Sequence, residues 1–240
     1  MFKIISTGWK CDKTIDRCMD SVEAQTHRDA QHYVVIDDAG GNTVKFDIKD
    51  AAEKRIPRLI TYRKGRRGKM YNFVQCLEGG ARPPADDDII VDLDLDDWLL
   101  PRALEVVQNA YDRWPELLLT YGSYITVSGR PARFNGHYKT DDFRMQRWKA
   151  SHLKAFKYKL FGQIKKKDLK GKDGRYLMVC ADMAMMFPMM EMAGLKRIYY
   201  NEVPIYVYDD TSTYNDHKMQ FNEQKRIEKY IRSKARYKEW

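Results

Sequence analysis

Residues 89–101 read IIVDLDLDDWLLP, which places four carboxylates, Asp92, Asp94, Asp96 and Asp97, inside an apolar run. A carboxylate taken out of water without a partner costs on the order of several kcal/mol, so the cluster needs something to balance it. On an extended segment, side chains two apart share a face, and Asp94 and Asp96 are such a pair. Hard divalent ions such as Mg²⁺ and Mn²⁺ take a few carboxylates together with phosphate oxygens and water. One such ion bridged to a diphosphate would offset the repulsion. Asp97 is also placed to cap the helix that follows, and plain surface charge is the remaining reading.

Other residue types could join this chemistry. KGRRGKMYN (64–72) is a glycine loop carrying Arg66, Arg67 and Lys69, groups that suit phosphates. It is not a Walker loop, since G-x-x-x-x-G-K-[ST] is absent. Asp37 and Asp38 close another apolar run. Asp182 opens a methionine-rich segment, where it suits either a helix cap or a proton acceptor. His152 and His217 are lone histidines, more often structural than ligating. Seven methionines between Met178 and Met192 read as adaptable core.

The elements that must position these groups alternate. FKIIST reads as a strand, 14–25 as a helix, and HYVVID as a buried strand ending at the Asp37-Asp38 turn. Residues 44–55 read as a helix, RLITYR as a strand, 69–78 as a helix, DDIIVDLD as a strand and 101–113 as a helix opened by Pro101. LLLTYGSYITV is a further strand with a break at Gly122. This alternation means an α/β fold with a mainly parallel central sheet flanked by helices, whose sites lie at the carboxyl ends of the strands. In the second half, 130–150 reads as a loop, HLKAFKYKLFGQI as a helix, and IKKKDLKGKDGRY as an exposed basic stretch. YLMVCADMAMMFPMMEMAG reads as a helix stopped by Gly194. RIYYNEVPIYVYDD gives one or two strands, and a basic amphipathic helix begins near Asn222. No repeat or linker appears, so the expectation is one domain over 1–240.

Composition narrows the field. The chain has 240 residues, 43% of them apolar and 32% charged, with a mean hydropathy of −0.67. No run approaches the ~20 apolar residues of a membrane span, and the start enters a strand at once. The expectation is therefore a cytoplasmic protein without a transmembrane segment or signal peptide. Cys11, Cys18, Cys76 and Cys180 show no zinc spacing and read as free thiols. The net charge of +9 is uneven: 139–175 holds 13 Lys/Arg against 4 Asp/Glu, and 218–240 holds 8 against 3. Such runs either solubilise a surface or meet a polyanion, whether nucleotide, nucleic acid, anionic glycan or lipid headgroup.

The order of these motifs resembles the family 2 glycosyltransferases of GT-A (Rossmann-like) fold. The resemblance rests on Ser6-Thr7-Gly8-Trp9, Ser21-Val22-Glu23-Ala24-Gln25-Thr26, Val34-Val35-Ile36-Asp37-Asp38, Gly68-Lys69-Met70-Tyr71-Asn72 and the stretch from Asp94 to Pro101, spread over roughly 1–125. A narrower set of such enzymes matches His152-Leu153-Lys154-Ala155-Phe156, Asp182 to Gly194, Tyr206-Val207-Tyr208 and Asn215-Asp216. The chain departs at Asp209, where an asparagine is usual, and at Ala39-Gly40.

The resemblance implies a metal-dependent, inverting transfer of a sugar from a nucleotide-diphosphate sugar, a UDP-sugar being favoured, to an acceptor hydroxyl. It implies a nucleotide-sugar-binding half over 1–125 and an acceptor and catalytic half over 126–240. Within it Asp96 is the expected metal ligand, with Asp94 reaching the metal or the donor ribose and His217 as a third ligand. Thr7, Trp9, Asp37, Asp38 and Lys69 would hold the nucleotide, and His152 its phosphates or the acceptor. Asp182 is the expected catalytic base, with Asn72 and Glu191 structural. The acceptor stays open: a polysaccharide, a glycan, or DNA bearing hydroxylated bases, with peripheral contact to an anionic surface also compatible. Two other classes compete. A nucleotidyltransferase would need a phosphate-gripping loop after the first strand, for which STGWKCDK is poor. A non-catalytic nucleic-acid-binding module would use the acidic patch only for a structural cation.

Overall fold

The computed structural model describes residues 1–37, 55–79, 83–211 and 221–240. Seven strands form the main sheet: β1 (Phe2–Trp9), β2 (Ala30–Asp37), β3 (Arg58–Arg63), β4 (Ile89–Asp94), β6 (Leu119–Gly122), β8 (Lys154–Lys157) and β9 (Ile198–Asn201). Their order is β3-β2-β1-β4-β8-β6-β9. The first four run parallel, as continuous apolar runs covered on both faces should. β5 (Trp98–Leu99), β7 (Ile125–Thr126) and β10 (Tyr206–Tyr208) make a small second sheet beside the carboxyl edge of β4.

The helices are α1 (Ile15–Glu23), α2 (Lys69–Glu78), α3 (Ala103–Arg113), α4 (Tyr158–Gly162), α5 (Ala181–Ala193) and α6 (Phe221–Arg232). Alternate residues of β1 and β4 serve two cores. Phe2, Ile4, Ile89 and Val91 join Cys18 and Val22 of α1 and Leu104 and Val107 of α3. Ile5 and Ile90 join Phe73 and Leu77 of α2, the methionines of α5, and Ile227 and Ile231 of α6. Phe73 is fully buried, which is worth about 2–3 kcal/mol for a side chain of that size. α5 is buried almost all round, which is why its sequence shows no polar face and why adaptable methionines fill it.

One expectation is overturned. HLKAFKYKLFGQI is not a single helix: Lys154–Lys157 is β8, antiparallel to both β4 and β6, and only Tyr158–Gly162 is helical. Ala155 faces one core and Phe156 the other, a two-residue period hidden by the helical spacing of the leucines and aromatics after it. The pairing also sets Lys154 opposite Asp92. The helix expected over 44–55 lies almost wholly outside the described residues. Among the described residues, no helix is long and apolar enough to cross a membrane. The four cysteines are thiols, none of them in a disulfide among the described residues.

Candidate active site

β1, β2 and β4 end side by side, with Thr7 paired to Asp94 and Trp9 to Asp37. A cleft of about 1310 Å³ opens at this edge, lined by Thr7, Trp9, Asp37, Lys69, Asp94, Asp96, His152 and Asp182 among others. Gly8 lets the two chain turns touch, because a Cβ there would stand 2.7 Å from Leu95 Cβ. Leu95 is further fixed by its N–H donating to the Thr7 carbonyl and by its own carbonyl accepting from Thr14 Oγ1.

The four aspartates have four different environments. Asp92 is 1% exposed and lies 2.9 Å from Lys69 Nζ and 3.3 Å from Lys154 Nζ. Asp94 accepts from Lys69 Nζ at 2.6 Å. Burial would raise the Asp94 pKa, but Lys69 and Lys154 outweigh it and hold the carboxyl below its ordinary value. Asp97 is fully buried and accepts from Tyr206 Oη at 2.5 Å and the Asp209 N–H at 2.7 Å. Asp96 faces the cleft, and among the described residues no cation lies within ion-pairing distance of it. Burial and the charge of Asp94 push its carboxyl up to about 7.

Several expected roles change. Asp97 neither caps α3, which starts at Ala103, nor lines the cleft; it pins β10 and Asp209 under the acidic turn. Lys69, expected on the nucleotide, lines the cleft and bridges Asp92 and Asp94. Asp37, expected at the base or ribose, has both oxygens committed to the basic loop. Oδ2 accepts from the N–H groups of Arg67 and Gly68 at 2.7 Å each, and Oδ1 from Asn72 Nδ2 at 2.8 Å. That loop places Arg66 over the Trp9 ring at 4.2 Å, with Lys10 at 4.5 Å. Gly68, at φ +85°, closes it against Met178. Asp38 and His217 lie outside the described residues.

His152 lines the cleft with its ring stacked on Tyr206, centroids 4.5 Å apart, and edge-on to Tyr124. Its Nδ1 is 3.4 Å from Lys154 Nζ. Burial first, then the charges of Lys154 and Lys69, keep the imidazole well below its ordinary pKa, so it is neutral. Ligand atoms of Asp94, Asp97 and His152 fall within 4.8 Å of one another. Asp97 in that trio is already bonded on both oxygens, which leaves Asp94 and Asp96 as the pair with oxygens toward the cleft. Asp182 is the second residue of α5, whose N-cap is Cys180 in the left-handed region at φ +56°. Its Oδ1 accepts from the Met183 N–H at 2.8 Å, and its other oxygen carries no hydrogen bond among the described residues.

Three contributors escaped sequence reasoning. Arg17 donates to Asp209 Oδ2 at 2.8 Å and the Asp96 carbonyl at 3.2 Å, with its guanidinium 3.6 Å from the Trp98 ring centroid. Lys154 and Tyr206 hold Asp92 and Asp97. Lys154 sits between Leu153 and Ala155 with two further lysines close behind, so nothing local singles it out, and its partner is 62 positions away. Glu191 is structural as expected: it forms a two-pronged ion pair with Arg144, at 2.6 and 2.9 Å, out of contact with solvent.

No curated protein matches the chain. Among solved structures, TarS of S. aureus superposes with a TM-score of 0.65 at 14% identity over 95% of this chain. A 1–349 portion of TarS in complex with UDP gives 0.65 at 15% over 96%. The mannosyltransferase PcManGT from Pyrobaculum calidifontis, in complex with GDP-Man and Mn²⁺, gives 0.56 at 14% over 98%. At these identities the likeness establishes the GT-A fold. The chain spans 38% of the TarS chain, 64% of its 1–349 portion and 65% of PcManGT. The model of one family, glycosyl transferase family 2, matches residues 4–183, which carry β1 to β8, the acidic turn and Asp182. The chain belongs to glycosyl transferase family 2.

Proposed function

We propose that the chain is a metal-dependent, inverting glycosyltransferase that moves a sugar from a nucleotide-diphosphate sugar to an acceptor hydroxyl. The observation that carries this reading is Asp96, a carboxylate that faces the cleft beside Asp94 with its pKa pushed up to about 7 by burial and by that neighbour. Such a pair suits a hard divalent ion completed by phosphate oxygens. Asp96 and the cleft-facing oxygen of Asp94 would hold Mn²⁺ or Mg²⁺. When bound, the ion supplies charge stabilisation to the departing diphosphate.

The chain's own groups have separate tasks. Thr7 and the Arg66–Trp9 stack wall the nucleotide pocket, and Asp37 acts by shaping that loop. Lys69 holds Asp94 ionised and oriented. Asp182 accepts the acceptor's hydroxyl proton while that oxygen attacks the anomeric carbon and the bond to the diphosphate breaks on the opposite side. Residues 1–125 form the donor half and 126–240 the acceptor half of one domain. A UDP-sugar is the favoured donor; TarS binds UDP-GlcNAc and PcManGT binds GDP-Man. Exposed Arg133 and Arg147 rim the acceptor side and favour an anionic acceptor, either a charged glycan or hydroxylated DNA. The nucleotidyltransferase reading loses ground because residues 10–14, KCDKT, which join β1 to α1, hold no glycine, whereas a phosphate-gripping loop there would be glycine-rich.

The test is a panel of nucleotide sugars with Mn²⁺ or Mg²⁺, followed by free-nucleotide release. Slow hydrolysis of one donor, lost in Asp96→Ala while circular dichroism stays native, supports the reading. A flat panel, together with no thermal shift from UDP or GDP plus metal, rejects it.

A further inference from the structure

The transfer chemistry draws on Arg147 and Lys154 of the two basic runs but leaves Lys165–Lys172 and the chain after Arg232 unused, and these two segments fold against each other. The segment around Lys165–Lys172 and the chain after α6 enclose a second cleft of about 700 Å³. The C-terminal wall is fixed in place. Trp240 N–H donates to the Met192 carbonyl, and Tyr237 N–H donates to Glu191 Oε2. The opposite wall is tied to it where Tyr237 Oη accepts from the Lys165 N–H at 2.8 Å and donates to Asp168 at 2.7 Å.

Charge in this cleft is one-sided. Its single carboxylate, Asp168, is used by Tyr237 and lies 3.6 Å from Lys234. Lys165, Lys167, Lys172 and Lys238 are exposed, and none has an ion pair among the described residues. Lysines facing one another in this way repel, and a chain of phosphates relieves the repulsion. The side chains between them are the half-buried rings of Tyr230 and Tyr237, with Lys234 4.6 Å from the Tyr230 centroid and Lys165 5.9 Å from that of Tyr237. Nothing aliphatic larger than Ala235 lines the cleft, so it offers no anchor for acyl chains. Point-charge lysines interleaved with rings suit a phosphodiester backbone carrying stackable bases.

We infer that this cleft binds single-stranded nucleic acid through its phosphate backbone, without sequence preference. The inference does not depend on the transfer reaction at Asp96. α6 lines both clefts, with Gln224, Lys225, Glu228 and Arg232 at the first and Tyr230 at the second, so a bound strand would lie within one helix length of the first cleft.

The test is fluorescence anisotropy with a labelled mixed-sequence single strand and the full chain. Four phosphate contacts give a log–log salt slope of about −2.8, which is roughly a 50-fold loss of affinity between about 50 and 200 mM salt. The triple variant Lys167→Ala/Lys172→Ala/Lys238→Ala should lower affinity and flatten the slope by about 2. An equal-charge control, Arg113→Ala/Lys139→Ala/Lys196→Ala, whose residues line neither cleft, should leave both nearly unchanged. Matched losses in the two triples would reduce the effect to net charge and overturn the site. So would binding of anionic phosphatidylserine vesicles, or of a sulfated glycan, that falls in the cleft triple while strand binding does not.

Discussion

Lys69→Met removes the ammonium that joins Asp92 to Asp94 and keeps a chain of similar length. At 2.6 and 2.9 Å, each attraction is up to about 6 kcal/mol at an effective dielectric of 20. Desolvation of the ammonium offsets most of that. Breaking a buried pair while leaving its partner costs about 3–5 kcal/mol. Lys69 is 20% exposed and Lys154 still stands 3.3 Å from Asp92, so the expected loss lies at the low end, about 3 kcal/mol. In a chain of this length that lowers Tm by about 6–12 °C. The assay is urea unfolding followed by tryptophan fluorescence, first in EDTA and then with Mn²⁺. The substitution frees the second oxygen of Asp94 and removes a competing cation, so Mn²⁺ should stabilise the variant more than the unaltered chain. An ion at about 100 times its Kd contributes about 2.7 kcal/mol, enough to restore most of the loss. Equal Mn²⁺ increments in both proteins would refute the assignment of the ion to Asp94 and Asp96. A loss under about 1 kcal/mol in EDTA would refute the ion-pair account itself.

Asp182→Asn should keep Tm within about 1 °C, since the Met183 contact persists, and lower transfer by about 10²–10⁴ in a coupled nucleotide-release assay. Arg144→Met strands Glu191, which then keeps only the Tyr237 N–H and a distant Arg236; about 3 kcal/mol should be lost in urea, and Arg144→Met/Glu191→Met should recover most of it. His32 is fully buried beside Ser6, and burial first, then Arg58, lowers its pKa to about 3. The folded state therefore stays neutral where the unfolded chain takes up a proton. Stability should fall below pH ~6.5 by about 1.4 kcal/mol per unit toward pH ~3, and His32→Asn should flatten that slope in pH-dependent urea midpoints. Gly68→Ala forces a positive φ on a side chain that would meet Met178; it should cost about 1–2 kcal/mol and weaken nucleotide binding measured by thermal shift.

Residues 1–125 were legible because their signals are local. Apolar runs such as HYVVID and IIVDLD end in carboxylates, and buried parallel strands read that way whatever surrounds them. The helices at 69–78 and 101–113 follow from spacing and proline in the same fashion. What stayed hidden depends on contacts across long stretches of chain. Nothing near Asp97 announces Tyr206 or Asp209, so a helix cap was the reading its neighbours supported. Lys69 and Asp37 looked like ligand groups because loops with glycine and charge often are; their protein partners lie more than 20 positions away. β8 was misread because Lys154–Lys157 is only four residues long, too short to display its alternation against the helical turn behind it.

The position of β8 bears on how the molecule is made. A nascent chain that has emerged only as far as residue 150 holds a sheet whose β4 edge has no neighbour and whose Asp92 lacks one of its two cations. Strand closure and charge neutralisation then arrive together, when Lys154–Lys157 slides in between β4 and β6. Truncation before that point leaves the β4 edge unpaired and should yield an aggregating fragment rather than a smaller working enzyme.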